Sequence, residues 1–139
     1  MKKIYLLLFL GILLFCSCES KRDTSDLAGF WQMMAWEGPD GEVQATKYDK
    51  IFYSVQLNVL KLHRLKDGYD NYYLTYYNHK GDSLIIYHPV KFVNDSIVSL
   101  KDLAKYGVPE NGRFHVDVLN DETLKLSSPE TGTLSFRKY

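Results

Sequence analysis

The sequence predicts an all-β domain, an antiparallel up-and-down barrel of about eight strands with one short helix across about 99–106. Three observations carry that reading. Apolar and polar residues alternate in short runs, as strands with one buried face require, because successive side chains point to opposite faces. Turn chemistry separates the runs: Gly38-Pro39-Asp40-Gly41, Lys66-Asp67-Gly68, His79-Lys80-Gly81-Asp82, Asn120-Asp121 and Pro129-Glu130-Thr131-Gly132. The separators recur at regular spacing, so each run can close onto the next through a short hairpin.

A segment of a different kind precedes the barrel. Lys2 and Lys3 lead into an apolar run from Ile4 to Phe15 that ends in Phe15-Cys16-Ser17-Cys18. A span across the hydrocarbon layer takes about twenty apolar residues, and this run is too short. A basic start, a short apolar centre and a small residue before a cysteine resemble a bacterial lipoprotein signal peptide. Ser17 is small enough for the signal peptidase pocket and Phe15 is not, so Cys18 is the expected lipidation site. Residues 1–17 are then the signal peptide, 18–26 the lipidated cysteine with a polar, flexible tether, and 27–139 the barrel domain. The resemblance implies a diacylglycerol thioether on Cys18 and usually an N-acyl chain. Two or three chains anchor stably where one binds only marginally. The expected location is the envelope of a Gram-negative bacterium, lipid-anchored at the outer membrane. Glu19-Ser20-Lys21-Arg22 lacks the acidic run of a surface-export signal, which leaves the leaflet open.

Cleavage after Ser17 leaves 122 residues, enough for one domain with a sizeable core. Removing Lys2 and Lys3 leaves 15 basic against 17 acidic side chains, a balance that attracts neither nucleic acid nor an anionic surface. With Cys18 lipidated no thiol remains, which excludes a disulfide framework and any cysteine-based metal or redox site.

Taken in order, strands are expected at 28–36, 51–65, 71–78, 83–92, 113–119, 123–127 and 132–138, with a short one at 96–99. In the long second run Ile51, Tyr53, Val55 and Leu57 share a face, whereas farther on the apolar residues are Leu60 and Leu62. That change of parity implies a β-bulge near Asn58. A helix across 57–65 is the rival reading. Phe114, Val116 and Val118 face the core opposite Arg113, His115 and Asp117, and Leu124 and Leu126 flank the outward Lys125. Ser99 can cap the helix, Asp102 complements its N-terminal dipole and Gly107 can end it before Pro109. A single short helix in a meander plugs a barrel end or covers an edge strand, with a movable lid as the functional alternative.

The two ends of the domain resemble the lipocalin-like small barrels of Gram-negative lipoproteins. Leu27-Ala28-Gly29-Phe30-Trp31 is similar to the Gly-x-Trp that opens such barrels, and Leu134-Ser135-Phe136-Arg137 to the closing strand whose arginine lies across that tryptophan. The resemblance therefore implies a barrel-closing pair of Trp31 and Arg137, with a cation–π gain of about 0.5–2 kcal/mol. The chain departs from classical secreted lipocalins in its shorter length, missing disulfide and mid-chain helix.

Tyr69, Tyr72, Tyr73, Tyr76 and Tyr77 form the feature that most invites a functional reading. Tyr72 and Tyr76, placed inward with Tyr53 and Tyr87, are the candidate contacts for a small hydrophobic or amphipathic ligand held in the barrel. Tyr73 and Tyr77 on the outer face would instead stack on glycans or meet an envelope protein. A third reading is that tyrosines simply stabilise strands and fill a small barrel. No nucleophile elbow, zinc helix, phosphate loop or dinucleotide fingerprint occurs. No catalytic, cofactor or metal residue is assigned: His63, His79, His88 and His115 are scattered, and Asp67 and Asp70 around Gly68 read as a turn. The expectation is a non-enzymatic envelope binding protein, with a packed interaction module as the alternative.

Overall fold

The computed structural model describes residues 26–139, so the expected signal peptide and Cys18 lie outside the described residues. The strands are β1 (Gly29–Glu37), β2 (Val43–Thr46), β3 (Ile51–Gln56), β4 (Val59–Arg64), β5 (Tyr72–Lys80), β6 (Ser83–Lys91), β7 (Ser96–Ile97), β8 (Arg113–Leu119), β9 (Thr123–Ser128) and β10 (Gly132–Lys138). Eight of them form the ladder β10-β9-β8-β6-β5-β4-β3-β1, and β10 pairs back onto β1 to close an antiparallel barrel. Short β2 extends the wall along the far half of β1, and β7 lies beside β6. Closure removes the free edges that an open sheet would present.

The expected strand across 51–65 is a hairpin, with neither a bulge at Asn58 nor a helix. Gln56 pairs with Val59, so Leu57 and Asn58 form a two-residue turn, with Leu57 at φ +54°. The Tyr77 hydroxyl donates to the Leu57 carbonyl at 2.5 Å, which holds a non-glycine residue in that uncommon region. Parity changes because the chain reverses: Val55 faces Leu60 and Tyr53 faces Leu62, and residues opposite each other share a face. Sequence reading missed β2, whose four residues are too short to show alternation.

The helix is present as a 3₁₀ helix, Leu100–Tyr106. The Ser99 Oγ accepts from the Lys101 N–H at 3.0 Å and Asp102 accepts from the Ser99 N–H at 2.9 Å, a reciprocal cap. Gly107, at φ +82°, ends it. Leu103 and Tyr106 are both fully buried, so the helix inserts its apolar side into one end of the barrel.

Inside, the lumen is bridged by side chains. Trp31, Met33, Tyr53, Leu60, Leu62, Leu84, Ile86 and Tyr106 are each at most 1% exposed. The Tyr53 hydroxyl crosses to the Tyr106 carbonyl at 2.6 Å, and its ring tilts against Phe136 with centroids 4.7 Å apart. Burial pushes the Tyr53 and Tyr106 phenols well above the usual tyrosine value, so both stay neutral. At the other end the Trp31 indole N–H donates to the Leu27 carbonyl at 2.9 Å.

Candidate binding surface

Strand β5 has two aromatic faces, and its register against β4 decides which one points inward. Leu60 lies opposite Thr75 and Leu62 opposite Tyr73. Both leucines are buried in the core, so Tyr73, Thr75 and Tyr77 face the lumen. The Thr75 hydroxyl satisfies itself on the Leu60 carbonyl at 3.3 Å. Tyr72, Leu74 and Tyr76 therefore face outward, opposite His63, Lys61 and Val59. This reverses the expected assignment. Of the candidate ligand contacts only Tyr53 is inside; Tyr76 and Tyr87 are 46% and 40% exposed, and Tyr72 lies on the outer wall.

These outward side chains form a continuous aromatic surface over β4, β5 and β6. Tyr72 stacks on Phe92 with centroids 4.3 Å apart, and the Lys61 ammonium lies 4.0 Å from the Tyr72 ring centre. Tyr76 and Tyr87 face each other across strands at 6.0 Å. The β5–β6 register shifts between Leu74 and Tyr76, and His88 adopts φ +50° across from it. This bulge opens a cleft of about 200 Å³ lined by Val59, Leu74, Thr75, Tyr76, His88 and Val90. Ile97 of β7, opposite Val90, is 87% exposed and extends the apolar surface.

Arg137 does not close the barrel. Register pairs Trp31 with Lys138 and Gln32 with Arg137, so Lys138 shares the tryptophan's face and Arg137 points outward. The Lys138 ammonium lies 5.0 Å from the Trp31 ring centre and takes the role expected of arginine. Gly29 makes room for it: at φ +146° it carries no Cβ, and one placed there would sit 2.5 Å from the Lys138 Cε.

Two networks of ionisable groups among the described residues have an acid or imidazole with two partners, and neither resembles a catalytic centre. Asp67 accepts from Arg64 at 2.9 Å and from Lys105 at 3.0 Å. The hydrogen bond from Arg64 is the main cause that holds its carboxyl below the usual carboxylate value. His115 contacts Asp117 through Nδ1 at 2.6 Å and Asp82 through Nε2 at 3.0 Å, and these bonds, Asp117 first, raise its pKa. Ser127 donates to Asp117, not to His115. With both ring nitrogens on carboxylates, the imidazole has no free nitrogen to take a proton from a nucleophile. His63 and His88 lie on β4 and β6 with β5 between them, so they do not meet. Among the described residues no group of three His, Cys, Asp or Glu side chains could hold a metal ion.

Fold and sequence agree on the family. The model of the lipocalin-like domain matches residues 13–139. The chain belongs to the lipocalin-like domain family. It is similar to a lipocalin-like protein from Bacteroides uniformis, at 30% identity over 83% of this chain and all of that one, with a TM-score of 0.61. A second crystal structure, of an uncharacterized protein from Bacteroides eggerthii, matches at 27% identity over 81% of this chain and 98% of that one, with a TM-score of 0.59. An NMR structure of a protein from Burkholderia xenovorans, at 14% identity over 80% of this chain and 81% of that one and a TM-score of 0.54, shares the fold. No functionally curated protein matches the sequence. Lipocalin-like barrels are in general binding proteins rather than enzymes, and the fold is compatible with ligand binding.

Proposed function

We propose that this lipocalin-like chain is a non-enzymatic binding protein, held in the Gram-negative envelope by lipid on Cys18, that works from the outside of a packed barrel. One observation carries the reading. Three of the four tyrosines expected to line an internal pocket, Tyr72, Tyr76 and Tyr87, stand on the outer wall, while the fourth, Tyr53, meets Phe136 and the Tyr106 carbonyl across the lumen. A ligand inside would have to displace that contact. The outer cleft is about the size of one large side chain, and aromatic rings around such a pocket are the usual anchors of protein interfaces. The partner is therefore an apolar segment of another envelope protein that seats one side chain between Leu74 and Val90.

A photocrosslinking amino acid at position 87, and separately at position 115, tests this in cells. The expected result is one discrete protein adduct from position 87, abolished by Tyr76→Ser, and none from position 115. Adducts that are the same from both positions, or that survive Tyr76→Ser, would overturn the outer-wall reading. Saturable binding of a fluorescent fatty acid, lost in Tyr53→Ala and retained in Tyr76→Ser, would return the function to the barrel interior. Labelled palmitate incorporated into the wild type and absent from Cys18→Ala is the expected signature of the anchor.

A further inference from the structure

Arg137, freed from the barrel end, lines a cleft that the outer-wall reading does not use. The cleft holds about 270 Å³ between β1, β10 and the 3₁₀ turn Lys47–Asp49, and its walls are Gln32, Met34, Lys47, Tyr48, Lys50 and Arg137. Three cationic residues, Lys47, Lys50 and Arg137, line it, with the Lys47 ammonium 5.1 Å from the Tyr48 ring centre. Among the described residues none of the three has a carboxylate within ion-pair distance, whereas Arg64, Lys101 and Lys105 all do. The nearest acid in sequence, Asp49, is turned away: its Oδ2 accepts the Thr46 N–H at 2.7 Å as part of a capping box. Lys50 is held at φ +54° as the cap of that turn.

Gln32 supplies the second observation. It is 4% exposed, although it stands on the outward face of β1. Its Nε2 donates one of its two N–H groups to the Lys47 carbonyl at 3.3 Å, which orients the amide. The Gln32 carbonyl oxygen accepts from no described residue. Although the residue is buried, this oxygen is open to the cleft, where a donor can reach it. A ligand that satisfies the whole cleft offers an oxyanion to the cations and an O–H donor to the Gln32 oxygen. At about 30 Å³ per water, the space suits a molecule of monosaccharide size.

We propose that this cleft binds a small hydroxylated oxyanion of the sugar-phosphate or sugar-acid class. Arg137 and Lys50 hold the anion, Lys47 adds charge from the turn, and Gln32 reads a hydroxyl. The same cations could meet a phospholipid headgroup, so the test separates the two sources. Calorimetric titration of the full chain at low ionic strength uses glucose 6-phosphate, inorganic phosphate and glucose as probes, beside co-sedimentation with phosphatidylglycerol vesicles. The expected order is glucose 6-phosphate above inorganic phosphate, with no binding of glucose. Arg137→Ala with Lys50→Ala should weaken glucose 6-phosphate at least tenfold with an unchanged melting temperature, because neither side chain is in the core. Gln32→Met should reduce glucose 6-phosphate to the affinity of inorganic phosphate. Absence of saturable binding up to roughly 10 mM, or binding unchanged in the double variant, would overturn the site. Equal binding of the two phosphates by the wild type would overturn hydroxyl recognition, and vesicle binding alone would assign the cleft to a membrane surface.

Discussion

Tyr73 and Tyr77 are each 8% exposed, whereas Tyr76, between them on the same strand, is 46% exposed. The inward pair is locked into the barrel. Tyr73 meets Tyr106 edge-on at 5.8 Å, and Tyr77 holds the Leu57 turn. The outward rings meet one another, Phe92, Lys61, His63 and His88 on the outer wall. One residue type thus serves two ends: its bulk and hydroxyl build the interior, and the same ring on the other face remains available for contact. Tyr53, Phe136 and Tyr106 bridge the interior of this small barrel, which is why the proposed recognition lies on its wall.

The comparison breaks most readily by truncation. Tyr73→Ala should cost about 3–5 kcal/mol, as removal of a buried ring does, and Tyr76→Ala no more than about 0.5 kcal/mol, as an exposed substitution does. Urea unfolding midpoints measure both, and equal losses would dissolve the distinction. Tyr53→Phe sharpens it by removing only a hydroxyl. Loss of the bond to the Tyr106 carbonyl strands a buried acceptor, so stability should fall by about 1–3 kcal/mol, while Tyr87→Phe should leave the same midpoint in place.

Charge separates the regions further. Asp67 sits 14% exposed at the plugged end between Arg64 and Lys105. Its folded pKa lies below the usual 3.8, so its contribution is complete above that value and is lost as pH falls through the folded value. Asp67→Asn should cost roughly 1–2 kcal/mol at pH 7, and the gap to wild type should close in acid-unfolding curves. The smallest effect belongs to His115 on the exposed wall. Its folded pKa lies above 6.5, so its ion pairs stabilise fully below 6.5 and fade as pH rises through the folded value. An imidazole NMR titration should show the upward shift, and Asp117→Asn should move it back more than Asp82→Asn.

Much of the scaffold was legible because it is local. Predicted strands 113–119 and 132–138 coincide with β8 and β10, and the Ser99–Asp102 cap and Gly107 stop are as expected from a few adjacent residues. The hairpin at Leu57-Asn58 was hidden because neither residue is the glycine that a two-residue turn favours, and a bond from the Tyr77 hydroxyl, twenty positions away, holds it. The outer aromatic surface was visible as a tyrosine cluster but assigned to the wrong side. Tyr72-Leu74-Tyr76 is more apolar than Tyr73-Thr75-Tyr77, yet register places the second set inside, where the Thr75 hydroxyl is satisfied by the Leu60 carbonyl. The basic cleft carried no motif at all, since its residues come from β1, the turn after β2 and the far end of the chain.

Alternation, turn residues and caps determined the all-β class and the bounds of strands such as β8 and β10, because each depends on neighbours within a few residues. Pairing register decided the rest. A shift of one residue turns every side chain of a strand to the other face, and register is set by pairing between strands, not within one. That is why Lys138 and not Arg137 covers Trp31, and why Tyr76 and not Tyr77 meets the solvent.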